Sequence, residues 1–274
     1  MAINRRKWDE SVPLHVASRS YDVPAFRSGR TTLERVEIAE MGSVRGRTLL
    51  HLQCHFGLDT LSWARRGARV TGVDYSLPAV RAARRLAREV EIPARFLHSN
   101  VYDLPGRLDE EFDIVYTGKG AICWMPDLTR WARIVADRVR PGGRFYLLDD
   151  HPIADTCPND ASATHLELRP DYFRRRPFRD VTDGTYAARE VRMRYRVSYS
   201  WVHPVGTVLT ALARAGLTIT SVHEFPFSYW YKFPFMRRGR DGYWHLTSQE
   251  GALPLMWSIQ ARKPARSDRL DLPA

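Results

Sequence analysis

The sequence predicts an α/β fold built on one open, parallel sheet wound on both faces by helices. Three observations carry this. From Thr48 onward, short apolar runs alternate with amphipathic stretches, the pattern of strands joined by crossover helices. No internal repeat and no long low-complexity segment points to a solenoid or a fibre. The 274 residues, 44% of them hydrophobic, suffice for one large core, and sheet proteins of this length are commonly a single domain.

Up to about Arg45 the pattern is irregular, with a helical stretch expected from Thr32 to Met41. A strand over Thr48 to Gln53 then leads to a helix over Asp59 to Arg66, a strand over Arg69 to Val73 and a helix over Pro78 to Val90. In that second helix Ser76 can cap, Pro78 suits the first turn, and Val80, Ala83, Ala87 and Val90 fall on one side with the arginines outward. Strands over Ala94 to Leu97 and Phe112 to Tyr116 precede a helix over Asp127 to Val139, with Leu128, Trp131, Val135 and Val139 inward. Pro141-Gly142-Gly143 is expected to punctuate the step into a strand over Arg144 to Leu148. From about Pro152 to Ser200 the alternation breaks. A polar, arginine-rich portion is followed by Glu190 to Trp201, which alternates like a strand, and the whole reads as an insertion over the sheet. A helix from about Val205 to Ala215, apolar at Val205, Val208, Leu209 and Leu212, stops at Gly216 and precedes strands near Leu217 to Glu224 and Leu253 to Arg262. The tail beyond Lys263 is short and charged, and is expected to fray.

Composition narrows the function classes. Met1 to Glu10 has basic residues but no apolar stretch behind them, and no run approaches the roughly 20 apolar residues of a membrane span. A cytoplasmic protein is expected. Cys54, Cys123 and Cys157 are too few and too scattered for a disulfide framework or a paired zinc motif, so no metal is expected. The net charge of +11 raises a polyanionic partner. Only Lys7, Lys119, Lys232 and Lys263 are lysines, however, so the excess is almost wholly arginine and reads as a compositional habit of a solvated surface.

In an open parallel sheet, ligands bind outside the carboxyl ends of the strands, so the residues just after each strand are the candidates. After the first come Gln53-Cys54-His55-Phe56-Gly57, a turn into a helix whose free N–H groups favour an anionic ligand group. After the second comes Asp74, in Gly72-Val73-Asp74-Tyr75-Ser76, placed to accept hydrogen bonds from two neighbouring ribose hydroxyls. After the third, Asn100 and Tyr102 could edge and cover a purine ring, or could equally form a turn and a helix start. After the fourth, Thr117-Gly118-Lys119-Gly120-Ala121 allows close approach of backbone to ligand.

From Thr48 to about His151 this order of residues resembles the class I S-adenosylmethionine-dependent methyltransferases. The features that carry it are Gly-Val-Asp-Tyr-Ser, Asn-Val-Tyr-Asp-Leu-Pro, Phe112-Asp113-Ile114-Val115 and Arg140-Pro141-Gly142-Gly143-Arg144-Phe145. The resemblance implies a Rossmann-like, seven-stranded, doubly wound sheet with its last strand antiparallel, plus a cap insertion between strand 5 and the last helix. Where the family's first turn carries an acid and glycines, this chain has His51, Gln53 and His55, and only Gly57 remains. The wording His-Leu-Gln-Cys-His-Phe-Gly also looks like a bacterial subgroup acting on small molecules. Carried over by position, the resemblance implies S-adenosyl-L-methionine as cofactor. Gln53, Cys54, His55 and Gly57 would then flank its methionine part, Asp74 and Tyr75 its ribose, Asn100, Val101 and Tyr102 its adenine, and Thr117 would lie near the sulfonium.

The expected organisation is an N-terminal helical segment (1–45), a cofactor-binding core (46–151), an acceptor-side cap (152–200), the C-terminal part of the sheet (201–264) and a tail (265–274). The donor carries the reactivity in methyl transfer, so a base is needed only for an acceptor that must lose a proton. His203 and His151 are the candidates, being a histidine just after the insertion and one just after the fifth strand. Asp149 and Asp150 could pair on a metal, but no third ligand stands at suitable spacing. The aromatic run Pro226 to Phe233 is a pocket lining or simply core. The arginine groups at Arg169 to Arg179 and Arg237 to Arg240 raise RNA or another nucleic acid as the alternative acceptor. No base-flipping motif accompanies them, and a small molecule is preferred. A non-catalytic cofactor-binding module is the remaining alternative, while a nicotinamide enzyme would need Gly-x-Gly-x-x-Gly in the first turn.

Overall fold

The computed structural model describes residues 1–159, 162–169 and 171–265; most of the expected tail lies outside the described residues. The helices are α1 (Ala2–Ala17), α2 (Val23–Arg27), α3 (Arg35–Met41), α4 (Leu58–Arg65), α5 (Leu77–Glu89), α6 (Leu128–Arg138) and α7 (Val205–Arg214). The strands are β1 (Thr48–Leu52), β2 (Arg69–Asp74), β3 (Arg95–His98), β4 (Phe112–Gly118), β5 (Val139–Asp150), β6 (Phe178–Val181), β7 (Val197–Ser200), β8 (Thr218–Phe225), β9 (Met236–Arg238), β10 (Trp244–Leu246) and β11 (Met256–Arg262).

Seven strands form one sheet in the order β3-β2-β1-β4-β5-β11-β8. β1 to β5 pair in parallel. The last strand, β11, runs antiparallel to both neighbours, β5 and β8, and is internal to the sheet. This is the expected topology. Strand order reverses between β1 and β4, which places the ligand crevice of a doubly wound sheet above that pair. Leu49, Leu50 and Leu52 of β1 are fully buried, because helices cover both faces and leave no polar side to the strand. α5 begins where Ser76 Oγ accepts from Ala79 N, and it buries Ala79, Val80, Ala83, Leu86 and Ala87. Asp127 caps α6 in the same way.

Three sequence expectations need correction. Pro141-Gly142-Gly143 does not precede β5 but lies within it. Phe112 pairs with Val139 and Ile114 with Arg144, so the intervening β5 residues bulge. Gly142 takes φ +75° there, and the bulge exchanges backbone hydrogen bonds with Lys263 beyond β11. The strand expected over Glu190 to Trp201 shrinks to β7, the second arm of an antiparallel hairpin with β6. The third correction is the largest: the irregular N-terminus contains a 16-residue helix, α1. Its buried residues are Asn4, Ser11, Val12 and His15, and Pro13 lies inside it. A helix held by polar contacts shows no apolar stripe, so periodicity could not reveal it. Among the described residues no helix is long and apolar enough to cross a membrane.

Candidate functional site

The turn after β1 departs from a glycine-rich sequence yet keeps a glycine-like backbone. Gln53 (φ +57°), His55 (φ +49°) and Gly57 (φ +85°) are all left-handed. For a residue with a Cβ this conformation costs roughly 1–2 kcal/mol, so the surroundings must hold both side chains. Gln53 Nε2 donates to Ala121 O (2.7 Å), tying the turn after β1 to the turn after β4. His55 Nε2 bonds His15 Nδ1 of α1 (2.9 Å), and the His55 amide donates to Asp74 Oδ2 (2.8 Å). Gly57 cannot be replaced as Gln53 and His55 were, since a Cβ there would stand 2.8 Å from the Phe96 ring. Cys54 is buried, with its amide on Val73 O.

Asp74 ends β2, and its carboxylate accepts from the amides of His55 and Ser76, each at 2.8 Å. Burial pushes it up to about 6, against those two bonds. Tyr75 follows it, its hydroxyl likewise raised by burial and by the Asp74 charge. Asn100 Oδ1 accepts from Tyr102 N and starts the turn at Val101–Asp103, while its Nδ2 faces Met1 Sδ (3.5 Å). Val101 is core. Tyr102 OH donates to Asp127 O (2.9 Å) and accepts from Asp127 N (3.0 Å), so it anchors the start of α6. For Asn100 and Tyr102 the turn-and-helix-start reading describes these contacts. Thr117, near the end of β4, is fully buried and its Oγ1 has no hydrogen-bond partner, and Gln53 Oε1 is buried in the same condition.

The two histidines expected as bases each hold neighbouring groups. His151 Nδ1 accepts from Ile153 N (3.2 Å), which fixes the proton on Nε2, and Nε2 donates to Glu224 Oε1 (2.8 Å). His203 Nε2 donates to Met125 O (2.8 Å) and so braces the turn after β4. Asp149 accepts from the amides of Gly120, Ala121, Ile122 and Asp150, shaping the same turn. Asp150 accepts from Trp230 Nε1 (2.8 Å) and faces Lys232 Nζ (3.9 Å), which donates to Asp155 (2.5 Å). Lys232 is only 5% exposed. Asp149 and Asp150 therefore do separate work. The aromatic run divides: Phe233 is core, Trp230 belongs to this charged cluster, and Tyr231 is partly exposed.

A second buried charged cluster sits on the other side of the turn after β4. Lys119 (φ +59°) contacts Glu37 Oε1 at 3.0 Å and Asp59 Oδ2 at 3.1 Å, and donates to Thr32 O at 2.7 Å. Glu37 is fully buried and also accepts from Tyr116 OH (2.6 Å). His51, which stands where the family has an acid, is 4% exposed and bonds Thr60 Oγ1 through Nδ1 (2.8 Å). Burial lowers it to about 4, so it is neutral in the folded protein. Its unfolded value near 6.5 is higher. The stability it contributes is therefore complete above pH 6.5 and is lost as the pH falls towards 4. We expect His51→Asn to be less stable at pH 7, but to lose about 2–3 kcal/mol less than wild type between pH 7 and pH 4.5 in urea unfolding. Parallel pH profiles would sink this.

No feature of the sequence marked α1 as part of the site. Trp8 lies edge-on to His55 (ring centroids 5.4 Å), His15 (5.8 Å) and Trp124 (5.5 Å), so one indole bridges the turns after β1 and β4. His15 also stacks on Tyr21, whose hydroxyl bonds that of Tyr186 in the segment between β6 and β7. Ser76 Oγ donates to Asp9 (2.6 Å). The other side of α1 holds β7 and the segment before it, through Asn4 with the Tyr199 backbone, Lys7 with Ser198, and Glu10 with the amides of Arg194 and Tyr195.

Comparison with known proteins bears on the fold. Residues 50–147 match a methyltransferase-domain family. A ubiquinone biosynthesis O-methyltransferase of Alkalilimnicola ehrlichii is 34% identical over 114 residues, 41% of this chain and 46% of that protein. The chain thus spans about half the length of the curated relatives it matches. A solved S-adenosylmethionine-dependent methyltransferase of Mesorhizobium loti superposes with TM-score 0.56 at 20% identity, over 90% of this chain and 99% of that one. Geranyl diphosphate C-methyltransferase of Streptomyces coelicolor, solved with Mg2+, geranyl diphosphate and S-adenosyl-L-homocysteine, gives TM-score 0.53 at 17% identity, over 83% of this chain and 76% of that one. The fold is that of the class I S-adenosylmethionine-dependent methyltransferases.

Proposed function

We propose that this protein is an S-adenosylmethionine-dependent methyltransferase acting on a small molecule. The observation that carries the reading is the turn after β1. Gln53 and His55 hold a glycine-like backbone at the switch point and deliver an amide to Asp74, while Gln53 Oε1 and Thr117 Oγ1 stand buried and unpartnered beside it. Buried polar atoms without partners are costly, and the ammonium and hydroxyl groups of the cofactor are suited to satisfy them. Gln53, Cys54, His55 and Gly57 would border the methionine part, Asp74 and Tyr75 the ribose, Asn100, Val101 and Tyr102 the adenine, and Thr117 the sulfonium.

The bound cofactor would supply an activated methyl group. The chain's own residues position the partners and exclude water. His203 and Asp149 act as positioning residues, since both shape the turn after β4 that faces the crevice. Residues 152–200 with α1 form the acceptor side. The relatives' name supports an oxygen atom of a small molecule as acceptor. The arginines that raised nucleic acid are partly engaged within the chain, Arg174 with Asp171 and Phe178, Arg237 with Glu250.

Calorimetric titration with S-adenosylmethionine and S-adenosylhomocysteine, with NAD as control, tests the reading. Saturable micromolar binding is expected for wild type, with a loss of about 100-fold in Asp74→Ala, since hydrogen bonds to a charged group contribute about 1.5–3 kcal/mol each. A well-folded wild type that binds neither ligand overturns it.

A further inference from the structure

Strand order reverses between β1 and β4, and the mouth of that crevice is crossed by α1. Trp8 spans it from His55 to Trp124, and His15 reaches His55 directly. Nothing in the assigned methyltransferase domain, residues 50–147, includes this helix. His15 is 1% exposed, and its Nε2 is buried with no hydrogen-bond partner, although Nδ1 is held by the cofactor turn. A neutral imidazole has one donor and one acceptor nitrogen, so a fully buried ring with one end unanswered carries a standing cost that a ligand atom would remove. The rings packed around His15 include those of Trp8, Tyr21 and Tyr186. These are flat, partly polar walls of the kind that line small-molecule sites and attract a cationic centre.

We propose that α1 is a wall of the cofactor site: Trp8 lies against the bound S-adenosylmethionine, and His15 Nε2 makes a hydrogen bond to it. This rests on the methyltransferase reading above and deepens it. The helix also carries the cap through Asn4, Lys7 and Glu10. Cofactor occupancy thereby orders the acceptor side, and the site is built from two parts of the chain far apart in sequence.

Binding and exchange, not turnover, provide the test. In the full chain, S-adenosylhomocysteine should slow amide hydrogen exchange in residues 2–17. By calorimetry, His15→Ala should weaken that ligand at least 10-fold and Trp8→Ala similarly, whereas His15→Gln, which keeps a donor and an acceptor, should stay within about 3-fold of wild type. Wild type that binds S-adenosylhomocysteine with no added protection of residues 2–17, or with unchanged affinity in His15→Ala, overturns the role of α1 and leaves the methyltransferase reading standing. Wild type that does not bind the ligand at all overturns both. The exchange measurement uses wild type alone, so it decides the matter even if a variant fails to fold.

Discussion

Glu37→Ala is expected to destabilise the protein by about 3–5 kcal/mol, because it removes one arm of a buried ion pair and the acceptor of two further hydrogen bonds. Glu37 is fully buried, and both its oxygens are used: Oε1 by Lys119 Nζ and the Glu34 amide that opens α3, Oε2 by Tyr116 OH. Removing the carboxylate leaves Lys119 with Asp59 and the Thr32 carbonyl, and leaves a buried phenol without its acceptor. Burial pushes Glu37 up and the Lys119 charge pulls it back. The ion pair is what makes a carboxylate tolerable at this depth. Two companion variants separate the contributions. Glu37→Gln keeps a hydrogen-bond acceptor for Tyr116 and should lose less. Glu37→Leu combined with Lys119→Met should also lose less than Glu37→Ala, because an apolar pair of similar volume often matches a buried ion pair. Equilibrium urea unfolding measures all three. A double variant as damaging as the single would mean that packing, not unpaired charge, sets the cost.

Such clusters mark the limit of what the sequence could show. The sheet was legible because β1 and β4 are short, mostly apolar runs and because α5 and α6 carry one apolar face with a capping residue in front. The position of Asp74 at the end of β2 was legible from the strand-like run before it, and strand ends are where a parallel sheet places its crevice. His15, Trp8, Glu37 and Lys232 were not, since each acts on a partner far along the chain and nothing local fixes the pairing. His15 meets His55 across 40 residues, and Glu37 meets Tyr116 across 79. His151 and His203 stood at the right edge of the sheet, yet position does not say whether a ring nitrogen is free. The structure gives His151 an amide and a carboxylate, and gives His203 a carbonyl.

The lysines carry a signal that composition concealed. In a chain with 42 basic residues, only four are lysine. Lys7 holds Thr182 and Ser198, Lys119 holds Glu37 and Asp59, Lys232 holds Asp155, and Lys263 holds Glu111. Lys119 and Lys232 stand at largely buried contacts, where a compact ammonium with three donors serves and a planar guanidinium would need more room.

Lys232→Ala is therefore expected to cost about 3 kcal/mol or more. The ammonium neutralises Asp155 at 2.5 Å and Asp150 at 3.9 Å, and lies 5.4 Å from the Trp230 ring centroid. Without it the largely buried Asp150 carboxylate faces the partly exposed Asp155 carboxylate with that cation gone, which disfavours the ionised form of Asp150. The sign of the pH dependence follows. Lys232 holds Asp150 down against burial, so its removal raises that carboxyl further in the folded state. The variant then loses stability as pH rises above the ordinary carboxylate range, and the gap to wild type widens from pH 5 to pH 8. Lys232→Arg retains the charge but not the compact shape, and should fall between the two. Thermal unfolding of the three proteins at pH 5 and pH 8 checks this. A gap independent of pH would show that Lys232 contributes through its packed alkyl chain rather than through the charge it neutralises.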